Sequence, residues 1–141
     1  MHVIFSTKNR EALLVDEELR KDLYDYIGGV CRNNECVSFR VGGYHDHIHI
    51  LCCLSRTKAV SELIKEIKRV SSHWLSTEKG VADFSWQAGY GVFSVSQSHV
   101  DSVVEYIDNQ KTHHQTLTFK EEYVKFLEKY KIQYDERYLW D

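Results

Sequence analysis

Proline is absent from the 141 residues, and glycine occurs only 7 times. That excludes collagen-like repeats and low-complexity Pro/Gly linkers. No apolar run approaches the roughly 20 residues that a membrane span needs. No basic-then-apolar leader opens the chain. C-x-x-C pairs are missing too: the 4 cysteines are Cys31, Cys36, Cys52 and Cys53. Their spacing gives no zinc or redox motif, and they are read as reduced thiols rather than a disulfide framework. Excess positive charge is also lacking. There are 18 basic and 21 acidic residues, a net charge of −3, which argues mildly against a general duplex-DNA coat protein. What is present is a globular composition, 43% hydrophobic and 13% aromatic, and 8 histidines, several of them clustered. One domain over residues 1–141, located in the cytoplasm, is expected.

Periodicity divides the chain. His2–Lys8 is β-rich and reads as a strand. Asp16 caps a helix to about Asn33, with Leu19, Leu23, Tyr26, Ile27 and Val30 on one face. Glu35–Val41 alternates, placing Val37, Phe39 and Val41 together, and Gly42-Gly43 is a candidate turn into a strand over His47–Leu54. A helix capped by Thr57 or Ser61 runs to about Thr77, with an apolar stripe opposite Lys65, Lys68, Arg69 and Ser72. A fourth strand is expected over Val92–Ser96. A helix from Ser98 turns Val100, Val103, Val104 and Ile107 inward. Thr118-x-x-Glu121 is a capping box for a last helix. The aromatic, charged tail from Tyr134 is expected to dock on a neighbour. The order β-α-β-β-α-β predicts an α+β fold of ferredoxin-like or RRM-like plan. It is an antiparallel sheet with helices packed on one face, plus C-terminal helices, and the other face is free for a site.

Two short patterns carry chemistry. In His45-Asp46-His47-Ile48-His49-Ile50, strand alternation puts His47 and His49 on one face and Ile48 and Ile50 on the core face. Two imidazoles so placed bind one divalent metal, or are merely solvated or hydrogen-bonded. Asp46 can orient a ligand histidine from behind, or serve the turn. Tyr106 and Gln110, at i and i+4, are neighbours on one helix face. They are a reactive pair or a half-buried seam.

Together, His47-Ile48-His49 and Tyr106-x-x-x-Gln110 resemble the motifs of the single-tyrosine HUH transposases of bacterial insertion sequences. These include the REP-associated tyrosine transposases. The similarity extends to Val3–Arg10, Trp86–Tyr90, Phe93–Ser96 and Arg137–Trp140, essentially the whole chain. The chain differs from that family in lacking the short lead before the first strand and in its acidic balance. The resemblance implies that His47, His49 and Gln110 hold one Mg²⁺ or Mn²⁺. It implies that Tyr106 attacks a phosphodiester of single-stranded DNA at hairpin-bearing ends, leaving a 5′-phosphotyrosine and a 3′-hydroxyl. It also implies a homodimer in which Tyr106 and Gln110 of one subunit complete the histidine site of the other. Two histidines are an unusual set for Mg²⁺, which prefers oxygen, so Gln110 and phosphate oxygens supply hard ligation. Lys8, Arg10, Lys65, Lys68 and Arg69 are the candidate DNA-binding cations, against the reading of a solvated charged face. The competing functions are a replication or transfer nickase and a non-catalytic nucleic-acid-binding domain. The latter usually shows aromatics on its central strands, where this chain has His47, His49, Leu51 and Cys53.

Overall fold

β1 (His2–Ser6) lies inside a four-stranded sheet of order β2-β3-β1-β4. Its neighbours β3 (His47–Cys53) and β4 (Gly91–Phe93) both run antiparallel to it, and β2 (Val37–Gly43) pairs antiparallel with β3. The computed structural model describes residues 1–141. The helices are α1 (Glu17–Asn33), α2 (Val60–Thr77), α3 (Val100–Asp108), α4 (Gln110–His113), α5 (Phe119–Lys129) and α6 (Glu136–Leu139). Strand order and direction are those of the ferredoxin-like plan.

One sheet face presents Val3, Phe5, Ile48, Ile50 and Cys52 to Leu23, Ile27, Leu63, Ile64 and Ile67 of α1 and α2. Alternation requires that the opposite face carry His2, Ile4, His47 and His49. That face is not open. Phe119, Tyr123 and Leu127 of α5 pack on Ile4 and Phe93 there, forming a second small core. The C-terminal helices therefore cover the face expected to be free, and His47 and His49 are fully buried.

Several boundaries differ from the sequence expectation. β1 ends at Ser6; Thr7 bridges Trp86, and Lys8–Arg10 form a 3₁₀ turn. β4 stops at Phe93 because its ladder partner there, His2, is the first residue of β1. α2 starts after Ala59, with no side-chain cap from Thr57 or Ser61. A 3₁₀ turn, Gln97–His99, precedes α3, which buries only Ile107 among its expected apolar stripe. In β2 a bulge at Phe39 breaks the alternation, so Val37 and Phe39 are exposed while Val41 packs on the core. Gly42 and Gly43 belong to the strand rather than a turn. Asp16 caps α1 as expected, and Thr118 with Glu121 forms the capping box of α5. The tail docks on its own chain. The Asp141 carbonyl accepts from Gly89 N at 2.8 Å, and Trp140 packs beside Phe119 and Tyr123. All four cysteines are free thiols, with Cys52 buried and Cys53 exposed on opposite strand faces. No helix is long and apolar enough to cross a membrane.

Candidate active site

The β3 alternation that sends Ile48 and Ile50 to the main core leaves His47 and His49 under α3–α5. Beside them comes Gln110, 1% exposed at the start of α4. α3 ends at Asp108 and Asn109 joins the two helices, but Tyr106 and Gln110 still reach the same carboxylate. That carboxylate is Glu122 of α5, which is 2% exposed.

Glu122 organises the cluster. His49 Nε2–H donates to its Oε1 at 3.1 Å, and Gln110 Nε2 donates to its Oε2 at 3.0 Å. The Tyr106 hydroxyl also donates to Oε2. His114 Nε2 lies 3.3 Å from Oε1 and donates to Gln110 Oε1 at 3.0 Å. Gln110 Oε1 accepts in addition from His47 Nε2 at 2.8 Å. Behind the pair, Asp46 Oδ1 meets His47 Nδ1 at 2.7 Å, and His2 Nε2–H donates to His49 Nδ1 at 2.8 Å. Every buried side-chain polar atom in the protein has a partner.

The electrostatics follow from burial and this carboxylate. Burial disfavours a charge on Glu122, but His49, His114 and His47 outweigh it and hold the carboxyl far below its usual range. Burial lowers the pKa of His49 despite the Glu122 charge, and drives that of His2 down to about 2. Burial also opposes charge on His114, yet Glu122 and the Leu117 carbonyl raise its pKa overall. For Tyr106, burial and the Glu122 charge both act upward, so its hydroxyl keeps its proton in this arrangement.

The donor set fits a divalent cation. One ligand atom from each of His47, His49 and Glu122 lies within 4.8 Å of the other two, and all three residues are buried. That is close to the span of two ligands each about 2.1 Å from an ion. The carboxylate supplies the hard oxygen that two imidazoles lack.

Sequence reasoning missed Glu122. The signal was present: it lies three residues after Phe119 and four before Phe126, a carboxylate within an inward-facing helical stripe. The contacts of His2 and His114 were also not foreseen. The expected cations lie elsewhere. Arg10 donates to the Trp140 carbonyl at 2.7 Å, and Lys68 Nζ is held by the carbonyls of Gln87, Ala88 and Gly89 at 2.7–3.3 Å. Arg69 pairs with Glu66 one turn away, and Lys8 and Lys65 are exposed. Trp86 and Phe93 are core residues.

A ferredoxin-like sheet with a His-x-His strand beneath a tyrosine-bearing helix defines the architectural class. The particular family follows from comparison: the chain belongs to the IS200-like transposases, whose family model matches residues 1–110. Its fold is similar to that of a protein from Deinococcus radiodurans assigned as a transposase, with a TM-score of 0.59 and 23% identity. That alignment covers 77% of this chain and 88% of the other. It is also similar to a REP-associated tyrosine transposase solved bound to a REP hairpin, with a TM-score of 0.57 and 18% identity over 82% of this chain and 68% of the other. No curated protein sequence matches the chain.

Proposed function

We propose that this transposase cleaves and rejoins single-stranded DNA with Tyr106 as nucleophile, at hairpin-bearing ends, and that the reaction depends on Mg²⁺ or Mn²⁺. The observation that carries the reading is the meeting of Tyr106, Gln110, His47 and His49 around the single carboxylate of Glu122. His47, His49 and Glu122 would hold the ion, with Gln110 Oε1 as the adjacent oxygen donor. Bound there, it would polarise the scissile phosphate and offset the charge that develops on it.

The chain's own groups do the rest. Tyr106 Oη forms a bond to phosphorus while the P–O3′ bond breaks, giving a 5′-phosphotyrosine and a free 3′-hydroxyl. The phenol proton passes to solvent as the P–Oη bond forms, and the departing 3′ oxygen takes one from solvent, so protons balance. Glu122, held ionised among the imidazoles, orients the hydroxyl rather than taking its proton. One phosphoester replaces another, and the reverse attack rejoins strands without an external energy source. Asp46 and His2 hold the two imidazole rings from behind. Placement of Tyr106 at the histidines of its own chain is supported by its hydrogen bond to the Glu122 that also binds His49.

The test is a denaturing gel of the protein with labelled single-stranded oligonucleotides carrying a hairpin, in Mg²⁺, Mn²⁺ or chelator. Wild type is expected to give a metal-dependent covalent band that Tyr106→Phe lacks. A band that persists in Tyr106→Phe overturns the nucleophile. Oligonucleotide binding without any band overturns the catalytic reading in favour of a binding-only protein.

A further inference from the structure

Tyr106 does not open toward the α2 face that carries Lys65, Lys68 and Arg69. It lines a cleft of about 830 Å³ between the segment Ser94–His99 and α5. The permanent cations in that cleft are Lys125 and Lys129, one helical turn apart on α5. Both are exposed and neither forms a salt bridge, although Glu121 lies one turn before Lys125 and feels its charge. Lys129 Nζ lies over the Tyr130 ring, 5.8 Å from its centroid. Glu122 is the one carboxylate lining the cleft, and its oxygens are taken by Tyr106, Gln110 and His49. The other α5 acids, Glu121 and Glu128, do not line it. The mouth of the cleft is therefore positive, and a cation without a partner is the kind that phosphate can recruit at little cost.

We infer that Lys125 and Lys129 bind the phosphates that flank the scissile bond, so that the DNA strand runs along α5 through this cleft. They are positioning residues. The inference rests on the proposed strand cleavage for its purpose, but its test does not need the covalent step.

The experiment measures binding of a labelled hairpin-bearing single-stranded oligonucleotide, in chelator, by Tyr106→Phe protein. Affinity is followed as salt rises from about 50 to 200 mM. Each phosphate that a variant no longer neutralises lowers the slope of log affinity against log salt by about 0.7 for single strands. Lys125→Gln and Lys129→Gln are each expected to flatten the slope by about that much, and the double variant by about 1.4. Lys125→Arg/Lys129→Arg is expected to restore the slope, which separates charge from packing. An unchanged slope in the Gln double variant overturns the inference. So does a flattened slope in Lys65→Gln/Arg69→Gln instead. A slope that falls as expected, with no covalent band from the Tyr106 protein in metal, leaves the cleft assignment standing and removes the catalytic reading alone. Absence of any strand binding removes both.

Discussion

Tyr106 donates its hydroxyl hydrogen bond to Glu122 of its own chain. The contact joins α3 to α5 directly above His49, whose Nε2–H donates to the other oxygen of the same carboxylate. Closing α5 over the sheet thus buries the histidines and brings the tyrosine to them in one packing event. The apolar residues Phe119, Tyr123 and Leu127, packed on Ile4 and Phe93, hold that closure. In this state Tyr106 is a protonated donor, because burial and the Glu122 charge both resist its ionisation.

Mixing Tyr106→Phe with His49→Gln protein is expected to yield no more covalent adduct than either alone. In the structure Tyr106 and His49 of one chain meet at the same Glu122 carboxylate, so each variant lacks one part of that chain's own cluster. Denaturing gels of the mixture provide the check. Recovery of adduct would mean that the tyrosine of one subunit serves the histidines of another.

Manganese affinity, measured by calorimetry, is expected to fall further in Glu122→Gln than in Gln110→Ala. The first removes the one negative charge among the donors, while the second removes a neutral oxygen and the hydrogen bond that orients Glu122. Loss of an orienting partner typically costs about 10–100-fold. The reverse ranking would make Gln110 the third ligand and Glu122 its support.

Lys68→Met is expected to destabilise the fold by about 1–2 kcal/mol while leaving the salt dependence of DNA binding intact. Its ammonium satisfies three carbonyls of the loop Gln87–Gly89, and no phosphate is needed to explain it. Burial lowers its pKa to about 8 from 10.5. Between those values the unfolded chain keeps a proton that the folded chain has released. Stability of wild type relative to Lys68→Met therefore rises as pH climbs through that window. Denaturant unfolding of both proteins at the two ends of the window reads the difference. A flat difference would place the ammonium in solvent.

Gly42→Ala is expected to lower stability by about 1–3 kcal/mol and to reduce adduct formation with it. A Cβ there would lie 2.6 Å from Ile107 Cγ2 and 3.0 Å from the Ile107 carbonyl oxygen, so the backbone of α3 must shift. Tyr106 is the preceding residue and moves with it. Thermal melting together with the adduct assay tests the link. Wild-type values in both would show that α3 can retreat freely.

Element order, the two faces of β3 and the capping box of α5 were legible in the chain, since each depends on local periodicity or on side chains three or four residues apart. The pairings of Ile48 and Ile50 with the main core followed from the same alternation. The bulge at Phe39 was not legible, because a one-residue slip depends on the partner strand. Nor was the role of Gly42, which answers to an approaching helix rather than to a turn.

The sequence by itself determined the family and the identities of His47, His49, Tyr106 and Gln110 as the residues to watch, because those motifs are short-range and survive without coordinates. Only the tertiary structure decided what completes the site. Glu122 meets His49 from 73 residues away, and His2 meets it from 47. The same packing placed Lys125 and Lys129 in one cleft with Tyr106. Periodicity reports which face a residue occupies. Which faces meet is set by burying Phe119, Tyr123 and Leu127 against the sheet, a long-range term that no local pattern contains.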